Sequence, residues 1–309
     1  MTTAATTFSP ATLYLANLSA GSQGMRQPLD VIAGILDSSH DAETYPWHKL
    51  TYSDTMAVRQ VLIARYKPAT VNKMLSALRG VLKQAWRLGL VEADAYHRAA
   101  AVQNVRSSNL LSGRALESLE IRRLFETCAA DETPRGTRDA AILAVLYGCG
   151  LRRGELVRLD VASVDFEDGS ILVEGKRRKR RTVYLTESGA SHLRCWLDDR
   201  GVAPGPLFNP VRQNGEILPK GLGGESVTYL LRRRQEQAEV DRFSPHDVRR
   251  SMVTDLLEAG VDVLTVQQLA GHADASTTAR YDRRGESAKR RAARSLESFR
   301  KEFSPGHRL

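Results

Sequence analysis

Apolar positions in the first hundred residues recur at helical spacing and hardly ever alternate. The clearest stretch is "PATVNKMLSALRGVLKQAWRLGL", where Val71, Met74, Leu75, Leu78, Leu82, Ala85 and Trp86 follow the i, i+3, i+4, i+7 rhythm of a helix with one buried face. Pro68 opens it, where a missing N–H costs nothing, and Gly89 stands just past its last turn. The opposite face carries Asn72, Ser76, Arg79, Lys83 and Arg87. Two readings of that face stay open: a solvated surface, the commoner reason for such residues, or a stripe that tracks a nucleic-acid backbone. Residues 1–105 are expected to form an all-helical domain. "VRSSNLLSGRALE", Val105 to Glu117, then breaks the rhythm with serines, a glycine and two arginines, and residues 106–116 read as a linker.

From residue 117 to 309 the pattern is mixed. "TRDAAILAVLYGCG" is an apolar helix stopped by Gly148 and Gly150. "SILVEGKRRKRRTVYL" reads as two short strands, Ile171 to Val173 and Thr182 to Leu185, around a very basic turn. Helices follow in "SGASHLRCWLDD", with Leu193, Trp196 and Leu197 inward, and in "GESVTYLLRRRQEQA". "SPHDVRRSMVTDLLEAG" has Ser244 as N-cap, Pro245 at the first helical position and Gly260 at its end. A short helix runs from Asp262 to Gly271, and a further turn begins near Ser276. The tail is helical, with Ala292, Leu296, Phe299 and Phe303 in a narrow apolar stripe. The fold class is mainly α: a helical first domain, then a mixed α/β domain with a small antiparallel sheet. Neither GxxxxGK[ST] nor GxGxxG occurs, so a nucleotide fold is not indicated.

Composition narrows the partner. The 309 residues allow about two domains, and 42% hydrophobic with 26% charged residues is ordinary for a globular protein. No apolar run approaches the roughly 20 residues of a membrane span, and the N-terminus is a poor secretory signal. Cys128, Cys149 and Cys195 are too scattered for a disulfide framework or a zinc site, so a reducing cytoplasm is the expected setting. Lys and Arg number 45 against 36 Asp and Glu, a net +9 that suggests a polyanionic partner.

Four places could carry chemistry. In "GCGLRRGELVRL", Arg152 follows a glycine pair and could present its planar fork to a phosphate, with Glu155 supporting the turn; an exposed arginine at a helix start is the plainer alternative. Lys176 lies in the basic turn "EGKRRKRR", together with Arg177, Arg178, Lys179 and Arg180, as a groove contact, a proton donor or a solvated charge run. His246 and Arg249 share a face in the first turns of a helix, whose N-terminus favours anions. Finally, "LAGHADASTTARY" places His272 straight after a helix-ending glycine and Tyr281 nine residues later, with no apolar periodicity to bury the phenol.

Together these residues fit one reaction best. Two arginines neutralise the non-bridging oxygens of a phosphodiester, a lysine or histidine protonates the departing sugar oxygen, and a tyrosine oxygen attacks phosphorus. A phenol of pKa near 10 is only about one part in a thousand ionised at neutral pH, so a base or a strong positive field is needed, and His246 and His272 could supply it. This chemistry calls for neither a metal nor another cofactor.

With those residues in place, the chain resembles the tyrosine site-specific recombinases of the phage-integrase family, and most closely their bacterial Xer-like members. The matching text is "YGCGLRRGEL", "GKRRKRRTVYL", "SPHDVRR" and "LAGHADASTTARY", in that order, and the helical first half resembles the family's core-binding domain. The resemblance implies that Arg152 and Arg249 hold the scissile phosphate and that His246 accepts and donates a proton. It makes His272 a phosphate-positioning residue, Lys176 the general acid, Tyr281 the nucleophile and Glu155 an acidic support. Arg177 and Arg178 depart from the family's glycine-containing turn, which makes Lys179 a rival for the general acid. Also implied are a C-shaped clamp on duplex DNA at an inverted-repeat core site, with Arg79, Lys83 and Arg87 on the basic helix face. A homotetramer would form in the synapse, each last helix packing into a neighbour; a partner recombinase stays open.

Two rivals remain at this point. A type IB-like topoisomerase or a hairpin-forming resolvase would use the same residues without exchange between two sites. A DNA-binding regulator without catalysis would be expected to have lost one of the six roles, and all six have a matching residue.

Overall fold

The computed structural model describes residues 9–18, 24–106, 113–175, 179–272, 274 and 278. The chain divides into two compact units, Met1–Leu110 and Leu111–Leu309, a division that falls within the 106–116 stretch.

The first unit is built of α1 (Pro10–Ala16), α2 (Arg26–Leu36), a single 3₁₀ turn at Trp47–Lys49, α3 (Tyr52–Arg65), α4 (Pro68–Arg87) and α5 (Ala93–Ala100). The amphipathic α4 is its spine. Val71, Met74, Leu75, Leu78, Leu82 and Ala85 are buried as their spacing predicts, and α1, α2, α3 and α5 all pack on it. Trp86 is a correction: 37% of it is exposed, and its ring stacks on Tyr96 at 5.1 Å. At about 100° per residue Trp86 lies on the rim of the buried arc, which extends the other way through Ala77 and Val81. The polar face of α4 is partly occupied. Asn72 exchanges two hydrogen bonds with the Val105 backbone, and Arg79 donates to Val102 O and Asn104 Oδ1, so both tie down the end of this unit. Lys83 and Arg87 are exposed.

The second unit surrounds α7 (Pro134–Gly148), which is buried along nearly its whole length and packs against α6 (Ser118–Ala129), α9 (Glu187–Arg200) and α11 (Pro245–Glu258). After α7 come the one-turn α8 (Arg153–Leu156) and an antiparallel sheet in the order β1 (Val164–Asp165), β2 (Ser170–Glu174), β3 (Arg180–Tyr184). The register pairs Ile171 with Val183, and both are fully buried against the core, whereas Leu172 between them is exposed. The sequence pattern had indicated β2 and β3 but not the two-residue β1, too short to show alternation. α10 (Gly224–Gln237) and α12 (Val263–Ala270) complete the unit.

Two features stiffen it. Arg138 and Asp139 on α7, Arg234 on α10 and Asp131 form a buried ion network, with Arg234 Nε 2.8 Å from Asp139 and its Nη2 2.6 Å from Asp131. The strand-like entry Gly113–Leu116 is pinned along α11. Arg114 N donates to Asp247, Leu116 N to Ser251 Oγ at 2.7 Å, and Arg250 Nη1 to Gly113 O. Among the described residues no helix is long and apolar enough to cross a membrane, and no His/Cys/Asp/Glu group has a metal-binding arrangement.

Candidate active site

The site begins where α7 ends. Cys149 caps the helix, and Gly150 reverses the chain at φ +58°, with the Met252 side chain occupying the space a Cβ would need. A larger residue there is excluded by both backbone and packing. The reversal buries Leu151 and brings Arg152 out as the N-cap residue of α8. Glu155, one turn on and 4% exposed, accepts from the Arg152 backbone N–H at 3.0 Å and from its Nη1 at 2.8 Å. The carboxylate thus caps the helix and aims the guanidinium at once.

Arg249 comes from the second turn of α11. Ser244 and Asp247 close the start of that helix by a reciprocal capping box, which places His246 in its exposed first turn. Arg249 is 2% exposed, deeper than a phosphate-binding residue read from sequence would suggest, and donates to Gly150 O and Ala270 O.

The end of α12 gathers the charges. Its last carbonyls have no partner within the helix and carry the negative end of the helix dipole. Leu269 O accepts from Arg181 Nε at 3.2 Å, Ala270 O from Arg249 Nη2 at 2.5 Å, and Gly271 O from Arg152 Nη2 at 2.8 Å. Three consecutive carbonyls therefore hold three arginines from three different elements. Gly271 caps the helix in the left-handed region (φ 63°, ψ 44°), and a Cβ on it would lie 3.0 Å from the Arg181 guanidinium. His272 follows at once, its Nδ1 2.8 Å from the hydroxyl of the buried Thr278.

Leu151, Arg152, Arg153, Gly154, Ser244, Pro245, His246 and Arg249 line a cavity of about 350 Å³. Arg153 on its rim is tied to α10, donating to Thr228 Oγ1 at 2.7 Å and pairing with Glu225. Burial alone would raise the Glu155 carboxyl, but the hydrogen bonds from Arg181 and Arg152 outweigh it and hold the group down at about 2. Burial, and then the charges of Arg249 and Arg152, push His272 down to about 4. His246 moves the same way, through its partial burial and the guanidiniums of Arg249 and Arg250, against the opposing pull of Asp247. Both imidazoles are therefore neutral at pH 7 and able to accept a proton.

The structure brings Arg152, Glu155, His246, Arg249 and His272 together from α8, α11 and the end of α12. Lys179 and Arg180 are exposed at the start of β3, and Gly175 N closes the hairpin onto Lys179 O at 2.8 Å. Lys176, Arg177, Arg178, Tyr281 and the tail stripe lie outside the described residues. Arg181 is the residue that sequence reasoning missed. Its fork meets Glu155 at 3.1 and 2.9 Å. A signal existed: Arg181 precedes Val183 by two, so strand alternation turns it toward the core face, an unusual place for an arginine unless it is paired.

Residues 114–287 match the phage integrase family. A tyrosine recombinase XerC of Alcanivorax borkumensis is 32% identical over 241 residues, 76% of each chain. A tyrosine recombinase XerD of Pseudomonas aeruginosa is 32% identical over 222 residues, 70% of this chain and 71% of the other. In three dimensions the Tn1549 transposon integrase, solved in complex with transposon right end DNA, superposes with a TM-score of 0.71 at 16% identity, over 94% of this chain and 99% of that one. The fold is thus the tyrosine recombinase fold. The chain belongs to the phage integrase family and is a tyrosine recombinase, an enzyme of DNA strand cleavage and rejoining.

Proposed function

We propose that this recombinase exchanges strands between two specific duplex DNA sites through a 3′-phosphotyrosine intermediate. The observation that carries the reading is a gathering of positive charge: Arg152, Arg181 and Arg249 converge on the end of α12, where Glu155 pairs with Arg152 and Arg181 and three backbone carbonyls each accept a hydrogen bond from one of the arginines. Carbonyl oxygens orient guanidiniums without cancelling their charge, so the cluster keeps a net positive field over the cavity. A phosphodiester monoanion complements that field, and the pentacoordinate state, with more charge on its equatorial oxygens, complements it better.

In this reading Arg152 and Arg249 bind the non-bridging oxygens. The Tyr281 oxygen attacks phosphorus as its proton passes to neutral His246, while His272 orients the phosphate. The bond to the 5′ oxygen breaks, and that oxygen takes a proton from Lys176, with Lys179 as the rival donor. The free 5′-hydroxyl of the partner strand then attacks the tyrosyl ester, and the phenol leaves with its proton restored. One ester bond is exchanged for another at each step, so the reaction needs neither ATP nor a metal ion. Four protomers on two sites would complete the exchange. The basic hairpin, Lys176 to Arg180, and the exposed Lys83 and Arg87 would add sequence-independent contacts to the backbone.

The test is covalent trapping. Wild type on a nicked suicide duplex carrying its inverted-repeat site should yield a protein–DNA band, and Tyr281→Phe should bind the same duplex and yield none. A covalent band from Tyr281→Phe would refute the nucleophile. Supercoil relaxation without exchange between two sites would point to a topoisomerase.

A further inference from the structure

Arg181 lies deeper in the site than Arg152 and donates three side-chain hydrogen bonds there, against two from Arg152. Its side chain is 16% exposed against 43% for Arg152. Two of its nitrogens meet both oxygens of Glu155 in a fork, and the third donates to Leu269 O at the end of α12. It stands on β3, one residue after Arg180 of the basic hairpin. Glu155 is shared: Oε1 also accepts from Arg152 Nη1, and Oε2 from the Arg152 backbone N–H.

We infer that Arg181 is a positioning residue for the reaction: it neutralises Glu155 so that Arg152 keeps its positive charge for the scissile phosphate. Glu155 and Arg152 alone form a one-to-one pair, in which the carboxylate would cancel the charge and draw the fork inward. With Arg181 the trio carries one net positive charge, and it lies on the open member, Arg152. The fork geometry matters as much as the charge, since only a planar guanidinium can satisfy both carboxylate oxygens and still donate to Leu269. The inference rests on the reading of Arg152 as a phosphate ligand, and it adds a residue that contacts neither phosphate nor nucleophile.

Cleavage of two nicked suicide duplexes tests it, one with the ordinary scissile phosphodiester and one with a methylphosphonate there, which carries no formal charge. On the phosphodiester, Arg181→Met should slow single-turnover covalent-complex formation roughly 100-fold and Arg181→Lys roughly 10-fold, as for loss of one preorganised charge donor. DNA affinity should stay within about twofold, because Arg152 and Arg181 contribute little to the total phosphate contacts. On the methylphosphonate, the variants should come within about threefold of wild type, since a neutral linkage no longer calls on the charge of Arg152. An equal loss on both substrates, no loss on the phosphodiester, or loss of DNA binding by both variants would overturn the inference, the last by making Arg181 a folding residue. Failure of wild type to form a covalent complex would count instead against the recombinase reading itself.

Discussion

Two arginine clusters lie in the second unit, and they are built on opposite rules. Around α7 and α10, Arg138 and Arg234 face Asp139 and Asp131, two buried cations for two anions, with the half-buried Arg233 4.0 Å from Asp131 at the edge. At the end of α12, Arg152 and Arg181 share Glu155, and the carbonyls of Leu269, Ala270 and Gly271 accept from Arg181, Arg249 and Arg152 in turn. A closed network satisfies both hydrogen bonding and charge, and its value is structural. The second satisfies hydrogen bonding and leaves charge over, which costs folding energy unless an anion arrives. The difference teaches how to separate scaffold from site: count charge, not contacts.

The largest expected effect is on the open cluster. Arg249→Ala should reduce the rate of covalent-complex formation by about 10²–10³-fold or more, the scale of losing one preorganised donor. If suicide-substrate cleavage by the purified variant stays within tenfold of wild type, the contrast between the clusters fails. Next comes the closed network, where Arg234→Met leaves Asp139 and Asp131 in the interior without their shared partner. The cost should be about 3–5 kcal/mol, read as a drop in urea midpoint, with the cleavage rate of the folded fraction unchanged. A stable variant with slow chemistry would put Arg234 in the wrong cluster.

Acid should remove stability in two stages. His272 is depressed from 6.5 to about 4, so the unfolded chain takes up its proton first and stability falls as pH drops between those values. Glu155 and Asp131 are depressed to about 2 from 4.5 and 3.8, so both clusters lose stability only further down, between about 4.5 and 2. Urea titrations across pH 7 to 3 should show this two-stage decline. His246 and His192 are also lowered and add to the upper stage, so His272→Asn should shrink that stage and leave the lower one unchanged; an upper stage of undiminished size would contradict the assignment. The smallest effect is peripheral. Lys83→Ala should lower the slope of log affinity against log salt by about 0.9, with equal losses on specific and random duplexes. An unchanged slope would return that face of α4 to plain solvation.

Much of this was legible in the chain. Periodicity placed α4, α7, α9 and α11 because each has one apolar face or none exposed, and burial demands that spacing. The stop signals at Gly150 and Gly271 could be read as helix ends. Their second duty could not: Gly150 makes room for Met252, and Gly271 for Arg181, contacts across 102 and 90 residues of chain (252 − 150 and 271 − 181). The same limit hid the roles of Arg79 and Asn72, whose polar positions on α4 look solvated until the end of the unit folds back upon them.

Residue types and local order were settled by the sequence alone where its signals are strong: that α4, α7, α9, α10, α11 and α12 form, where the capped ones begin or stop, and which arginines, histidines and tyrosine stand in the family's order. Those follow from short-range rules of spacing, capping and side-chain chemistry. The tertiary structure decided which arginines share Glu155 and which carbonyl at the end of α12 orients each of the three. Such distinctions depend on the net charge within a few ångströms, and that charge is assembled from α8, β3, α11 and α12, elements that only folding brings together.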